Sequence, residues 1–472
     1  MTPEEFRRAG HELVDWIADY RERVARGEFP VVSRNTPGEL RAALPRTPPQ
    51  EPEGFAAIRR DLDALILPAC THWQDPRFFG YFPSNGLPAA VLGDLVGTGL
   101  GQLGLNWQAS PALTELEEVC LDWWRQMLGL SERWSGVIQD TASTATFVAL
   151  VCARERATNH AATRGGMQAE QRPLMVYYSA QAHSSVEKAA MLAGFGRDNL
   201  RAIPVDDSHD LRPDALASAV LEDRAAGREP CVVVATCGST ASTAFDPLVA
   251  VAQFARREEL WLHVDAAMAG SAMILPECRA LWDGIEGADS LVVNPHKWLG
   301  VSFDCSTYFV RDPQFLVRVM STNPSYLQTA ADGQARNYRD WGIPLGRRMR
   351  ALKLWFVIRE QGVANLQARL RRDLGNARWL ASEVAREPRW KLLAPVRLQT
   401  LVVRHEPPGL DAAALDAHTR AWAQSVNDSG EACLTPALID GRWAVRVSLG
   451  SAPTERRHVE GLWRLMRAKA GE

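Results

Sequence analysis

The chain has 472 residues, of which 46% are hydrophobic and 23% are charged, and its formal net charge is −3. This length exceeds one ordinary hydrophobic core and predicts two or three packed units. The small net charge, without a Lys/Arg-rich run, argues against nucleic acid and anionic membranes as partners. The polar, acidic N-terminus predicts no secretory signal, and no apolar run reaches the roughly 18 residues that span a bilayer.

The eight cysteines are scattered through apolar segments. They form no C-x-x-C pair and no Cys/His cluster with the spacing of a zinc site. This pattern is typical of buried, reduced thiols, so we expect a cytoplasmic protein without a bound metal.

The N-terminal segment predicts a helix followed by an extended connector. Leu13, Ile17 and Tyr20 recur at three- and four-residue spacing, which produces an apolar stripe on one helix face. Such a stripe needs a partner surface, from its own chain or from another. The five prolines between residues 37 and 52 then exclude a long helix.

From residue 136 onward, short β-rich runs alternate with helical stretches. The strand candidates are residues 136–139, 174–178, 231–235, 260–264, 290–293 and 306–310, and the helical stretches are 144–157, 185–194, 213–226 and 248–258. This alternation predicts an α/β fold with a mostly parallel sheet that helices cover on both faces. The last hundred residues mix helices with strand-like runs and predict a smaller α+β domain.

Three polar groups lie at the ends of these predicted elements. Asp265 follows the run WLHV, Lys297 follows SLVV within the segment NPHK, and the segment 141–143 opens a helix after GVIQ. In an open α/β sheet, ligands bind beyond the carboxyl ends of the strands. A lysine amine, a carboxylate and a helix start match the aldehyde, ring nitrogen and phosphate of pyridoxal phosphate. Each group alone is weak evidence, because an Asp after a strand is more often a helix cap.

These residues belong to blocks that resemble the group II pyridoxal-phosphate decarboxylases, and among them the aromatic-L-amino-acid decarboxylases. The resemblance runs from about residue 5 to about residue 465, and its densest blocks are YFPSNGLPAAVLGD (81–94), NWQASPALTELE (106–117), QAHSSVEKA (181–189), LHVDAAMAGSA (262–272), NPHKWLGVSFDC (294–305) and IPLGRRMRALKLWF (343–356). It implies a fold type I enzyme with a mostly parallel seven-stranded sheet. It also implies decarboxylation of tryptophan, tyrosine, DOPA or phenylalanine to the arylalkylamine and CO₂.

The resemblance further implies a homodimer with shared active sites. The expected parts are an N-terminal helical arm (1–87) packed on the partner subunit, a cofactor-binding α/β domain (88–354) and a small α+β domain (355–472).

By the same resemblance, Lys297 carries the cofactor as a Schiff base, Asp265 pairs with its ring nitrogen and His183 stacks on its ring. Tyr326, in a polar loop, would protonate the product carbon in the partner's active site, to which Gly346 and Arg347 would also lie close. The other cofactor-side positions are Ala142, Ser143, Thr240, Ala267, Asn294, His296 and Gly346. The substrate-side positions are Trp73, Tyr81, Phe82, Ser84, Leu103, Leu105 and His183.

The chain departs from the family pattern at the helix opening 140–144, at Leu105 and at the turn Ser84-Asn85-Gly86. Asp140 stands at the helix opening, where a glycine is common, and Leu105 replaces a phenylalanine of the animal enzymes. A carboxylate beside a phosphate would be repulsive, so we expect Asp140 to point away from the cofactor. The smaller Leu105 side chain predicts a pocket that accepts a bicyclic indole.

Three other functions agree less well with these residues. An aromatic acetaldehyde synthase typically replaces the loop tyrosine or alters the stacking histidine, whereas this chain keeps Tyr326 and His183. A decarboxylase of acidic or short-chain amino acids should offer a cation to the substrate side chain, whereas the substrate-side positions are mainly apolar. A catalytically silent binding protein usually lacks the lysine, which this chain retains.

Overall fold

The computed structural model describes residues 1–82, 84–322 and 324–471, and its contacts divide the chain into two units. The large unit comprises Ser84–Arg372 and Ala394–Leu401. The small unit comprises Met1–Pro83, Asp373–Leu393 and Val402–Glu472. The three-part domain division expected from the sequence stays a prediction.

The helices and strands follow one another along the whole chain. The helices are α1 (Pro3–Ala25), α2 (Glu39–Ala43), α3 (Phe55–Asp61), α4 (Pro88–Leu100), α5 (Pro111–Leu128), α6 (Ala142–Ala157), α7 (Ser185–Leu192), α8 (Pro213–Ala225), α9 (Leu248–Arg257), α10 (Pro313–Met320), α11 (Arg350–Arg386), α12 (Ala412–Ser429) and α13 (Arg456–Ala470). The strands are β1 (Ser135–Gln139), β2 (Leu174–Ser179), β3 (Leu200–Ile203), β4 (Glu229–Thr236), β5 (Trp261–Asp265), β6 (Ser290–Val293), β7 (Ser306–Val310), β8 (Trp390–Leu392), β9 (Thr400–His405), β10 (Thr435–Ile439) and β11 (Arg442–Ser448).

The core of the large unit is a seven-stranded sheet of order β1-β7-β6-β5-β4-β2-β3. β7 is antiparallel to both of its neighbours, and the pairs from β6 to β3 are parallel. The central strands are buried along their length, as in β4, where every residue after Glu229 is buried. Strands covered on both faces lose the alternation of polar and apolar residues, which explains their continuous apolar runs. The predicted mostly parallel α/β fold is therefore confirmed.

One strand of this sheet was missed by the sequence analysis. β3 has four residues at the sheet edge, and of these only Ile203 is buried. A short edge strand with a polar residue such as Arg201 shows neither a long apolar run nor a clear alternation, so its sequence carries little signal.

The small unit contains a second sheet of order β10-β11-β9-β8, in which β10/β11 and β8/β9 are antiparallel. α12 packs on β11 and on α13. These elements confirm the smaller C-terminal α+β region.

The apolar stripe of α1 meets part of its own chain. The hydroxyl of Tyr20 lies 2.9 Å from Nδ1 of His72, and the Trp16 indole N–H donates to Asp63 at 2.8 Å. Phe6, which precedes the stripe on α1, is 64% exposed. The start of this helix therefore still offers apolar surface.

Two expectations about the chain's environment concern thiols and membranes. Seven of the eight cysteines are buried, Cys70 is half-buried, and all eight are free thiols. Within the described ranges, none of the helices is both long enough and apolar enough to cross a membrane.

A buried ion pair joins three segments of the large unit. Nη2 of Arg347 lies 2.6 Å from Oε1 of Glu117, which is on α5, and also donates to the Ile138 carbonyl of β1 at 2.8 Å. The same Glu117 oxygen accepts the Ile138 N–H at 2.8 Å. Both charged side chains are buried, so each depends on the other for compensation.

We expect Glu117→Ala to destabilise the protein by about 3–5 kcal/mol, because it leaves the Arg347 guanidinium buried without its carboxylate. Thermal unfolding followed by circular dichroism measures the loss. The matched control is Glu222→Ala, whose carboxylate pairs with Arg201 at 2.7 Å but is 64% exposed. That change should cost at most about 1 kcal/mol. An equal or smaller loss for Glu117→Ala would contradict the role of the buried pair.

Candidate active site

The site begins where β5 and β6 end side by side. Asp265, the last residue of β5, pairs with Val292 of β6. The pairing continues past both strands, because the Asn294 N–H donates to the Ala267 carbonyl at 2.8 Å. The segment that leads to Lys297 therefore leaves the sheet next to Asp265, as the sequence analysis predicted for strand ends.

The Asp265 carboxylate is buried and only partly satisfied by the protein. Oδ1 accepts the Ala267 N–H at 3.0 Å, whereas Oδ2 has no hydrogen-bond partner within the described part of the chain. On the neighbouring strand, Thr236 pairs with Asp265, and its buried hydroxyl likewise has no partner there. A buried hydroxyl without a partner, such as that of Thr236, requires an explanation, and a polar ligand at this strand end would supply one.

Lys297 lies in a short turn, Pro295–Leu299, directly after β6. Its N–H donates to the Asn294 carbonyl at 3.0 Å, and its carbonyl accepts the Asn85 side-chain amide at 3.1 Å. Both Lys297 and Asp265 act electrostatically on His183. The structure thus brings the amine, the carboxylate and the imidazole into one cluster.

His183 is held as a neutral ring with a defined tautomer. Partial burial lowers the pKa of His183, Asp265 opposes this effect and Lys297 adds to it. Nδ1 accepts the Ser185 N–H at 3.1 Å and lies 2.8 Å from the Ser185 hydroxyl. A neutral ring that accepts at Nδ1 carries its proton on Nε2, so His183 presents an N–H donor.

His296 and Asn294, both buried, are oriented in the same way by the protein. His296 Nδ1 accepts the Cys305 N–H at 2.9 Å, and burial, reinforced by Lys297, lowers the pKa of His296 to about 3. Its proton therefore sits on Nε2. The Asn294 side-chain oxygen accepts the Ser306 hydroxyl at 2.6 Å, which leaves the amide N–H groups to donate.

The start of α6 lies at the end of β1. Ala142 and Ser143 are its first two residues, and Thr141 caps it by accepting the Thr144 N–H at 3.4 Å. The helix begins two residues earlier than predicted, because the cap is Thr141. The five residues 140–144 therefore place backbone N–H groups at this edge of the sheet.

Asp140 uses its carboxylate locally. Oδ1 accepts the Thr141 N–H at 2.6 Å. Its charge also acts on Arg350: burial lowers the pKa of Arg350, but the ion pair with Asp304, at 2.9 Å, and the charge of Asp140 raise it overall. The Asp140 carboxylate is thus partly satisfied by the backbone N–H that follows it.

The remaining predicted positions of the large unit lie in loops. Ser84, Leu105, Thr240 and Ala267 are half-buried, and Leu103 is 52% exposed. A Cβ atom on Gly346 would lie 3.1 Å from a Leu103 methyl, so these two predicted positions are neighbours. Between Leu103 and Leu105, the Gly104 N–H donates to the Arg347 carbonyl at 2.9 Å. The segment 103–105 is therefore bonded to the arginine of the buried ion pair.

The other predicted residues are Tyr326 in the large unit and Trp73, Tyr81 and Phe82 in the small unit. Tyr326 lies in a short turn, Ser325–Leu327, and is 78% exposed. Trp73, Tyr81 and Phe82 belong to the small unit, where the rings of Trp73 and Tyr81 stack with centroids 5.4 Å apart.

Within the small unit, the sequence analysis missed a buried cation beside a predicted substrate-side residue. Arg446, on β11, is buried, and its guanidinium lies 4.6 Å from the ring centroid of Phe82. Burial lowers the pKa of Arg446 to about 10, so the side chain remains a cation near neutral pH. The available signal was an arginine inside the apolar run WAVRVSLG, where an inward charge is unusual.

The fold and the lysine–carboxylate–imidazole cluster define a pyridoxal-phosphate enzyme of fold type I. The family described as "Pyridoxal-dependent decarboxylase conserved domain" matches residues 37–405. The chain belongs to this family.

Similar proteins extend over nearly the whole chain. Aromatic-L-amino-acid decarboxylase of Bos taurus is 42% identical over 98% of this chain and 95% of its own length. Phenylacetaldehyde synthase of Arabidopsis thaliana is 39% identical over 100% of this chain and 96% of its own length. The crystal structure of Oryza sativa TDC with PLP and tryptamine superposes with a TM-score of 0.96 at 36% identity, covering 100% of this chain and 98% of that one.

The side chains at the site fit pyridoxal phosphate. The Lys297 amine matches its aldehyde, and the unpaired Oδ2 of Asp265 can accept a proton held on the pyridine nitrogen. The N–H donors of His296 and Asn294 suit the phosphate oxygens.

Lys297→Ala should remove the visible absorbance of the cofactor complex, because no other group at the site supplies the amine that bonds to the aldehyde. Absorbance spectra of the purified protein with added pyridoxal phosphate, before and after borohydride, measure this. The control is Lys391→Ala, which removes an exposed lysine and should leave the spectrum unchanged. A wild-type spectrum in Lys297→Ala would exclude Lys297 as the attachment point.

Proposed function

We propose that this chain decarboxylates aromatic L-amino acids to arylalkylamines and CO₂, with pyridoxal phosphate held at Lys297. The observation that carries the proposal is the cluster of Lys297, Asp265 and His183, which lie at or just after the carboxyl ends of the parallel strands β6, β5 and β2. Support for an aromatic substrate comes from the relatives, which include an aromatic-L-amino-acid decarboxylase and a structure that holds tryptamine.

Bound pyridoxal phosphate supplies an aldehyde for the substrate amine and a protonated ring that accepts electrons from the bond to the carboxylate. Asp265 keeps the proton on the ring nitrogen, because its carboxylate is buried and its Oδ2 has no partner within the described chain. His296 and Asn294 hold the phosphate through fixed N–H donors. Lys297 would hold the cofactor through its amine, the group that can bond to the aldehyde.

The substrate side chain would meet the leucine segment 103–105. The half-buried Leu105 offers an apolar surface, and so does Leu103 next to Gly346. Apolar surface suits a planar aromatic ring better than a charged side chain. Because leucine is smaller than phenylalanine, the pocket should also admit the two fused rings of an indole.

We expect Leu105→Phe to lower the ratio of kcat/KM for tryptophan over tyrosine by roughly tenfold, since the added ring takes space that the indole needs. The ratio is an internal control, because a general loss of activity cancels from it. Amine formation from both substrates by the two proteins gives the numbers. An unchanged or higher ratio would show that residue 105 does not set the size limit.

We further propose a homodimer in which Tyr326 acts in the partner's site. The support is exposed apolar surface: Tyr326 is 78% exposed, and α4 exposes Leu92, Leu95, Val96 and Leu100, each by more than 40%. Contiguous apolar patches of this kind mark protein interfaces. The buried free cysteines fit the reducing cytoplasm, which we propose as the location.

The second candidate function is that of an aromatic acetaldehyde synthase. It is favoured by the relative named phenylacetaldehyde synthase, which is 39% identical. The two activities differ after CO₂ is lost: a decarboxylase protonates the substrate Cα, whereas a synthase lets dioxygen oxidise it. Tyr326 and His183 are both retained, and each offers a proton donor, which supports the decarboxylase.

Tyr326→Phe should still release CO₂ but form aldehyde, ammonia and hydrogen peroxide in place of much of the amine. The change deletes the phenol donor and keeps the apolar ring. Protonation of Cα therefore becomes slower relative to its oxidation by O₂. Product analysis under air, with peroxide measured by a coupled assay, gives the partition.

The control for this change is Tyr20→Phe, which removes a hydroxyl that contacts His72 in the small unit. It should leave the products unchanged. Full amine yield without peroxide from Tyr326→Phe would assign the proton transfer to another group, and His183 would be tested next.

A further inference from the structure

A chain of buried side chains links β5 and β6 to α6 in the large unit. The Trp261 indole N–H donates to the Ser290 hydroxyl at 2.9 Å, and that hydroxyl lies 2.9 Å from Nδ1 of His263. On the other side of the ring, Nε2 lies 3.3 Å from the hydroxyl of Thr146. At most 3% of the surface of any of these four residues is exposed, so water does not replace these bonds.

The imidazole at the centre of this chain is neutral. Burial lowers the pKa of His263 to about 4, and the charge of Asp265 opposes this only in part. Each ring nitrogen faces one hydroxyl, and a hydroxyl both donates and accepts. The neutral ring is therefore fully satisfied in either tautomer, without a second buried charge.

The position of the ring connects two parts of the cofactor site. His263 lies two residues before Asp265 on β5, so the two side chains share one face of the sheet. Thr146 lies one helical turn after Ala142 on α6, and so stands below the first turn of that helix. The contact between His263 and Thr146 thus ties the strand that carries Asp265 to the helix that starts at Ala142.

We propose that His263 is a positioning residue, which fixes the spacing between Asp265 and the start of α6 through its bond to Thr146. The inference rests on the proposed function, in which Asp265 serves the ring nitrogen, and on the expectation from the sequence that the start of α6 also faces the phosphate. One rigid cofactor must satisfy both groups at once, so a change in their spacing weakens both contacts. His263 itself touches neither substrate nor cofactor in this scheme.

The test compares Thr146→Val with Thr146→Ser. Valine has the shape of threonine but lacks the hydroxyl, so His263 loses one partner, whereas serine keeps it. The Kd for pyridoxal phosphate is measured by equilibrium dialysis of the holoenzyme, and the pH midpoint of the visible absorbance of the complex is recorded in parallel. Thr419→Val, at a fully buried position on α12 in the small unit, controls for the general cost of the same substitution.

We expect Thr146→Val to raise the Kd by roughly five- to tenfold and to move the absorbance midpoint, as expected for one lost buried hydrogen bond. Thr146→Ser should restore both values, and Thr419→Val should change only the unfolding temperature. If Thr146→Val lowers the unfolding temperature but leaves Kd and midpoint at wild-type values, the inference is overturned. Thr146→Ala replaces valine, with the same criteria, if valine prevents folding.

The proposed function is judged separately from these variants. If the wild-type protein gains no visible absorbance with pyridoxal phosphate, both the proposed function and the inference fail. If the wild type binds and Thr146→Val binds equally well with an unshifted midpoint, only the role of His263 fails.

Discussion

The hydrogen bonds between β5 and β6, and their continuation beyond the strand ends, position everything else at the site. Asp265 is fixed by its pairing with Val292, and the bond from Asn294 to the Ala267 carbonyl keeps the following segment beside it. A slip of this register by one residue would turn the Asp265 side chain to the other face of the sheet. The catalytic groups are therefore set by backbone geometry, and the side-chain contacts refine it.

Three histidines in and near the site are neutral. Burial is the largest cause that lowers the pKa of His183, His263 and His296. Two of them accept a backbone N–H at Nδ1, which fixes the remaining proton on Nε2. Such rings act as oriented dipoles and add no positive charge beside the Lys297 amine. The charge balance of the site then depends mainly on Lys297 and Asp265.

Much of this arrangement was predictable from sequence, for a physical reason. Buried parallel strands require apolar runs, and a polar residue such as Asp265 at the end of a run must lie at the sheet edge. The edge strand β3 was missed because four residues, of which only Ile203 is buried, leave no such pattern. Arg446 was missed because its contact with the ring of Phe82 joins residues that are distant in sequence. The residues that surround Tyr326 could not be predicted from the sequence, since an exposed turn without periodicity carries no information about packing.

The burial of the thiols has a practical consequence for labelling. Burial raises the pKa of Cys231 and of Cys305 to about 12, so at neutral pH these side chains offer almost no thiolate to an alkylating reagent. Only Cys70 is not fully buried. A cysteine introduced on an exposed loop would therefore react first with a maleimide dye. Fluorophores could then be attached at chosen points for distance measurements in solution after replacement of Cys70, with the seven buried cysteines left in place.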